Sequence, residues 1–255
     1  MIYEMTDTSH AAPLFEHWEE TIIWSCLQGI MGKIYADDLS IPTTAMAVLG
    51  DFTFFAGEPK IEFISCRPDG RKKNFRIMVP QNEPWKNKII DFYGEKAKLI
   101  SRYAIKKEPQ VFDIKKLEDA VASLPEPYTL SMIDKPLYHM CKAEEWSADL
   151  VAQFPDDETY HRLGIGAVIC RGSRLISGAS SYSRYKDGIE IEIDTRKEYR
   201  HQGFAYRCGA KLILECLKRN LYPSWDAHNK ASVALAEKLG YHYSHSYEAI
   251  EVNDD

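Results

Sequence analysis

The 255-residue sequence lacks the short signatures that name a chemistry outright. Neither GxGxxG nor GxxxxGK followed by Ser or Thr occurs, so a Rossmann dinucleotide site and a P-loop are not indicated. The eight histidines and six cysteines form no HExxH and no close Cys/His cluster, and no metal is expected. Cys26, Cys66, Cys141, Cys170, Cys208 and Cys216 lie scattered without a CxxC pair, as buried thiols do in a reducing cytoplasm. Positive charge is in deficit. The 32 Lys and Arg against 38 Asp and Glu leave a net charge of −6 and no long basic run, which argues against nucleic acid as the main partner. No apolar stretch reaches membrane-spanning length, and the opening MIYEMTDTSH lacks a signal-peptide pattern, so no membrane partner is expected. What is present is the composition of a soluble globular protein, 45% hydrophobic and 27% charged. Its length suits one large domain or two small ones.

The most informative stretch runs from Gly188 to Asn220. Ile189, Ile191 and Ile193 alternate with Glu190, Glu192 and Asp194, a strand signal. A basic turn from Arg196 to Gln202 follows, and Gly203-Phe204-Ala205 opens a helical pattern. Ala205, Cys208, Gly209, Leu212, Ile213, Cys216 and Leu217 fall on one face, with Arg207, Lys211, Glu215 and Lys218 on the other. A strand thus delivers the chain to a glycine turn at a helix N-terminus. Unpaired N–H groups and the helix dipole suit a phosphate there, and Gly203 keeps a Cβ out of its way. The same glycine would serve an ordinary strand–turn–helix, and these residues alone leave both readings open.

Elsewhere, the spacing of Leu14, Trp18, Ile22, Cys26 and Ile30 predicts a helix over residues 1 to about 35. Residues 43–56, 75–79 and 98–105 are rich in β-formers, and residues 84–93 and 114–123 read as helices. Pro125 and Pro127 are the expected domain boundary, giving an N-terminal domain 1–125 and a C-terminal domain 126–255. Beyond it come a strand at 128–133, a helix capped by Asp134 and a second helix at 146–154. Strands at 163–170, 175–183 and 188–194 lead into the helix opened by Gly203. A strand at 222–226, a helix at 230–239 and closing strand pieces around 241 and 247–252 complete the series. The expected class is α/β with a mixed sheet.

Arg200-His201-Gln202-Gly203-Phe204-Ala205 reads R-x-x-G-x-A. Here the sequence resembles the GNAT N-acyltransferases, whose pyrophosphate loop is Q/R-x-x-G-x-G/A after a strand. A second stretch, WDAHNKASVALAEKLGY from Trp225 to Tyr241, resembles the Asn, small residue and K-x-G-F/Y pattern of the same family. Together with EIDTRKEYRHQGFA it is most similar to the zwittermicin A resistance acetyltransferase group. The resemblance implies a GNAT acyl-CoA N-acyltransferase fold in the C-terminal half. The N-terminal stretch QGIMGKIYADDLSIPTTAMAVLGDFTFFAG faintly resembles the N-terminal lobe of glycine-N-acyltransferase-like proteins, which would make the N-terminal α/β domain a degenerate GNAT-like lobe, as in tandem GNAT proteins.

The resemblance also implies acetyl-CoA as co-substrate. The main chain of Ile193, Asp194 and Thr195 would hold its acetyl carbonyl and pantetheine arm. The N–H groups of Arg200, His201, Gln202, Gly203, Phe204 and Ala205 would cradle the diphosphate, with Asn229 and Ser232 at the pantetheine or phosphate. Read without the family, Asn229 is an N-cap and Ser232 its first-turn neighbour.

The implied reaction moves an acetyl group to a primary amine of a small molecule, an aminopolyol-type antibiotic by the subgroup's name. Positioning and a main-chain donor at the carbonyl oxygen carry most of such chemistry. Glu192 is the first candidate for the base and Glu190 the second; alternating acids equally describe the solvated face of a strand. His228 and Asp226, just before the Asn motif, are further candidates for the base; Trp225, Asp226 and Tyr182 are the acceptor-side candidates, with Tyr185 beside them. Many relatives carry a Tyr proton donor where this chain has Ala236, so the donor is unassigned among Ser232, Tyr241 and water. Transfer from another acyl-CoA and a non-catalytic acyl-CoA-binding regulatory module are the competing readings. A homodimer is left open, and the cytoplasm is the expected compartment.

Overall fold

The computed structural model describes residues 1–68 and 75–253, which divide into two units, Met1–Arg102 with Ser246–Asp255 and Tyr103–His245. In the first unit the order is β1 (Tyr3–Glu4), α1 (Thr21–Leu27), β2 (Lys33–Ala36), β3 (Thr44–Leu49), β4 (Phe52–Gly57), α2 (Ile61–Ser65), β5 (Phe75–Pro80) and α3 (Glu83–Tyr93). The chain enters the second unit within β6 (Ala97–Ile105). There it forms α4 (Ile114–Ala122), β7 (Tyr128–Met132), α5 (Lys135–Ala143), α6 (Glu145–Ala148) and α7 (Asp157–Leu163). Next come β8 (Gly166–Arg171), β9 (Arg174–Tyr185), β10 (Gly188–Thr195), α8 (Phe204–Lys218), β11 (Tyr222–Ser224), β12 (Asp226–Ala227) and α9 (Lys230–Leu239). β13 (Tyr243–Asn253) returns the chain to the first unit.

Hairpin turns at Gly50 and Gly172, both with left-handed φ (60° and 58°), join antiparallel pairs. In the first unit the strands follow the order β1-β2-β3-β4-β5-β13, antiparallel except for β4 and β5. Trp85, Phe55, Met46, Met78 and Ile250 fill its core, with the Phe55 and Trp85 rings 5.0 Å apart. Asn82 caps α3 by accepting from the Trp85 N–H (3.1 Å), which fixes where that ring enters.

The second unit carries a five-stranded sheet in the order β11-β10-β9-β8-β7, parallel only between β10 and β11. α8 lays Phe204, Cys208, Leu212, Ile213 and Cys216 on Ile189 and Ile191 of β10, the match of a 3.6-residue stripe to a two-residue alternation. α4 adds Leu117 and Ala120 to that core. The expected boundary at Pro125 and Pro127 therefore falls inside this unit, between α4 and β7.

Apart from α4 and β12, which appear only in the second run, the chain passes twice through one order: strand, helical turns, three antiparallel strands, helix, parallel strand, helix and a closing strand, β6 the first time and β13 the second.

Some sequence expectations change. The long N-terminal helix is only α1, preceded by two short 3-10 turns, because Pro13 and the left-handed Gly29 and Gly32 (φ 64° and 75°) interrupt it. Residues 43–56 form two strands, β3 and β4. The second helix stops at Ala148, and α7 occupies a stretch for which no element was expected, meeting the expected strand only at Leu163. Asp156 caps α7 by accepting from the Thr159 N–H (2.7 Å). The strand expected at 222–226 is broken, and β12 leaves β10 to pair with β6 through Ala227↔Tyr103 and Asp226↔Ala104.

Candidate active site

β10 and β11 run side by side only over Gly188–Glu190 and Tyr222–Ser224. At Trp225 the chain turns away, and within two residues β12 is paired elsewhere. β10 continues five residues further, still bound to β9 on its other edge. The Arg196 N–H donates to Ile176 O (2.9 Å), which sets the phase: even positions exchange bonds with β9, and odd ones turn their N–H and C=O to the opposite edge. Past the ladder those outward groups belong to Ile193 and Thr195. Acidic neighbours take both N–H groups, Glu192 Oε1 at 3.2 Å from Ile193 N and Asp194 Oδ1 at 2.6 Å from Thr195 N. A ladder edge whose N–H groups donate to side-chain oxygens also suits the amides of an extended ligand.

Five residues along that edge, roughly 17 Å at ~3.3 Å each, lead from the end of the ladder to the turn before α8. Arg200 folds back on β10, its Nε donating to Thr195 O (3.0 Å) and its guanidinium pairing with Asp194 (3.2 Å). Its N–H is turned to Lys197 O (3.4 Å), so Arg200 shapes the loop more than it lends a donor. His201 and Gly203 both have left-handed φ, 61° and 78°. Among the described residues nothing accepts from the N–H groups of His201, Gln202, Gly203, Phe204, Ala205 or Tyr206. Six donors converge at the positive end of a 15-residue helix. Arg207 holds them outward by donating to Gln202 O (3.4 Å) and Gly203 O (3.1 Å), and it ties the turn to Ser123 O (3.2 Å). A Cβ on Gly203 would lie 2.8 Å from Arg207 Nη1. The Phe204 side chain is buried, its ring 4.6 Å from Tyr128, so only its main chain faces the turn. The turn and edge therefore fit a diphosphate joined to an extended amide-bearing arm.

Glu190, 7% exposed, stands where the ladder ends. Ser183 of β9 and Ser224 of β11 flank it on the same face, being its ladder partners. Ser224 Oγ lies 2.9 Å from the Tyr185 hydroxyl, whose ring crosses Gly188; a Cβ there would lie 2.3 Å from that hydroxyl. Burial raises the Tyr185 pKa, and the charge of Glu190 adds to the shift. Tyr182 is the extra β9 residue where the register slips between Glu190 and Ile191, and it is 7% exposed. Glu192 and Asp194 lie further along the same face of β10, half-buried.

The second motif is divided by the structure. Asn229 Oδ1 caps α9 by accepting from the Ser232 N–H (2.9 Å). Ser232 Oγ accepts from the Trp225 indole N–H (3.0 Å), which pins the ring where the chain leaves β10. Trp225 is 4% exposed and stands edge-on to Tyr241, whereas Asp226 is half-buried and His228 exposed. Ala236 is wholly buried in the core, and the Tyr241 hydroxyl donates to Pro223 O (2.5 Å), so neither offers a proton to a ligand on the β10 edge. Among the described residues no group of three or more His, Cys, Asp or Glu side chains is placed to hold a metal, and no helix is long and apolar enough to cross a membrane.

Sequence reasoning passed over Ser183, Ser224 and Arg207. Serines in a strand carry no periodic signal, and Arg207 reads as one more charge on the polar helix face. Only Gly188, three residues after Tyr185, hints that a ring crosses the strand there.

The family model described as GNAT acetyltransferase matches residues 12–250. The solved structure of a GCN5-related N-acetyltransferase-like protein from Streptococcus suis is 46% identical, with a TM-score of 0.91 over 96% of this chain and 98% of that one. The relative named "Uncharacterized N-acetyltransferase YdfB", from Bacillus subtilis, is 26% identical over 238 residues, 87% of this chain and 86% of its own length. A tandem GNAT protein from the clavulanic acid biosynthesis pathway shares the fold at 10% identity, with a TM-score of 0.50 over 86% of this chain and 82% of that one. The chain belongs to the GNAT acetyltransferase family and is an enzyme of the N-acetyltransferase type.

Proposed function

We propose that the enzyme transfers the acetyl group of acetyl-CoA directly to a primary amine of a small molecule, with Glu190 as the base. The observation that carries this reading is the early end of the β10–β11 ladder, with buried Glu190 at one end of the edge left without a strand partner and, at the other, six N–H groups without an acceptor among the described residues. His201, Gln202, Gly203, Phe204 and Ala205 would hold the diphosphate through their N–H groups, and the edge at Ile193 and Thr195 the amide-bearing arm. Glu192 and Asp194 would then yield those N–H groups to the ligand and turn toward the acceptor. Glu190 is preferred to Glu192 because it is the carboxylate where the ladder opens, whereas Glu192 bonds the edge itself. Removing a proton from the amine needs a carboxylate in reach of the nitrogen, directly or through one water.

Half-buried Glu192, Asp194 and Asp226 favour a cationic, hydroxyl-rich acceptor. With the likeness to zwittermicin A resistance acetyltransferases, this supports an aminopolyol and a role in antibiotic resistance. The six free cysteines, five of them buried, favour the reducing cytoplasm.

The first unit is proposed to be a degenerate copy of the second. Its parallel ladder runs over Phe52–Phe55, almost to the end of β4. Gln81 then continues it, its N–H donating to Phe55 O (3.1 Å) and its Oε1 accepting from the Gly57 N–H (2.9 Å). The Trp85 indole N–H takes Gly57 O (2.9 Å), so side chains close the place where the second unit opens. The fold shared with a tandem GNAT protein supports the same reading.

The test is thiol release from acetyl-CoA against ethanolamine, putrescine, spermidine, glucosamine and glucamine, with Glu190→Gln and Glu192→Gln beside the native enzyme. Release with one amine class, lost in Glu190→Gln and kept in Glu192→Gln, is expected. Acetyl-CoA binding without release for any amine would favour the regulatory module instead.

A further inference from the structure

Ser183 is wholly buried, and its Oγ has no hydrogen-bond partner among the described residues. Native proteins rarely leave a buried hydroxyl so, and ordered water usually completes it. Ser183 faces Glu190 directly across the β9–β10 ladder, which puts their Cβ atoms about 5 Å apart on one face. On the other flank of Glu190 stands the Ser224–Tyr185 hydroxyl pair. A water beside Ser183 would find that hydroxyl and the Glu190 carboxylate as partners, the two polar groups that such a site needs at least. It would lie where the ladder opens and the acceptor has to arrive.

We propose that Ser183 is a positioning residue of the transfer reaction, its hydroxyl holding a water against Glu190 through which the acceptor loses its proton. The proposal rests on Glu190 being the base. As the acceptor nitrogen bonds to the acyl carbon, the carbon–sulfur bond breaks with its electron pair on sulfur. The surplus proton on nitrogen passes to the water, which passes one of its own to a Glu190 carboxylate oxygen. Ser183 forms and breaks no covalent bond. It fixes where the water stands.

Ser183→Ala removes the hydroxyl and little else. With acetyl-CoA and the best amine of the panel, kcat is expected to fall ten- to a hundredfold, a part of what acid–base catalysis supplies. KM for both substrates and the calorimetric Kd for acetyl-CoA should stay within twofold. Tm should hold or rise, because no hydrogen bond within the protein is lost. A crystal structure of the native enzyme that resolves solvent should place one water within hydrogen-bond distance of both Ser183 Oγ and Glu190. A direct protein partner for Ser183 Oγ, a lowered Tm in Ser183→Ala, or unchanged kcat with that variant overturns the proposal. Unchanged kcat in Glu190→Gln overturns the base assignment itself. Loss in Glu190→Gln with none in Ser183→Ala leaves that assignment standing and removes only the water site.

Discussion

Replacing Gly203 by glutamate is the sharpest perturbation of the turn before α8. Gly203 has φ 78°, where a side chain costs roughly 1 kcal/mol or more. The new Cβ would stand 2.8 Å from Arg207 Nη1. The guanidinium can move aside, but it then gives up Gln202 O and Gly203 O, the bonds that turn the loop N–H groups outward. The carboxylate also brings negative charge to about 5 Å from any diphosphate held there, roughly 3 kcal/mol per unit charge at an effective dielectric near 20. Together these terms come to about 4 kcal/mol, or a Kd for acetyl-CoA weakened about a thousandfold. Gly203→Ala carries the backbone strain without the charge and should weaken binding by about tenfold or less, with Tm lowered by about 2–4 °C. Calorimetric titration with acetyl-CoA reads both variants, and raised salt should recover part of the loss in the glutamate variant alone. A folded Gly203→Glu protein that binds acetyl-CoA within threefold of native would refute the loop as the diphosphate site.

In the first unit, Asp37 accepts from Thr43 N (3.0 Å), Thr43 Oγ1 (2.7 Å), Thr44 N (3.1 Å) and Lys60 Nζ (2.5 Å). Burial alone would raise its pKa, but Lys60 and these donors outweigh burial and hold the carboxyl well below its usual range. Its contribution is therefore complete above about pH 4 and fades below. Asp37→Ala should cost roughly 2–3 kcal/mol at pH 7, a gap about 1 kcal/mol narrower at pH 3 in urea melts; an equal gap at both pH values would contradict it. With the first unit closed by Gln81 and Trp85, acetyl-CoA should bind once per chain, and a calorimetric stoichiometry of two would reopen the first unit as a site. Burial pushes the thiols of Cys26, Cys141, Cys208 and Cys216 up to about 12, and that of Cys170 also upward. A chromogenic thiol reagent at pH 8 should react quickly with Cys66 at most, and with all six cysteines only after denaturation. Rapid reaction of several thiols in the native enzyme would show that the core opens readily.

Local pattern was enough to read β10, the glycine turn, α8 and the Asn229 cap, because each rests on neighbours in sequence: alternation, a left-handed residue, a side chain three positions from its N–H. α7 was legible in principle, since Asp156, an acidic first turn and a basic last turn mark it, but the apolar run after it read as one longer strand. The break at Trp225 had no local sign. Whether a strand keeps its partner depends on β6, about 120 residues earlier in the chain, and no periodicity reports that. The same limit governed the choice of base. Glu190 and Glu192 are equivalent in the alternation, and only the end of the ladder tells them apart.

β13 gives the protein a history as well as a shape. Residues 250–253 complete the first unit's sheet against Phe75–Met78 of β5, yet they are synthesised long after the rest of that unit. At about 5–20 residues per second, roughly 8–30 seconds separate the emergence of Arg102 from that of the strand it awaits. During that interval β5 offers an open, partly apolar edge, the kind of surface on which nascent chains aggregate. A message cut short before Ser246 would leave the first unit unfinished however sound its own codons. The first unit's sheet is in this sense complete only once residues 250–253 have been made.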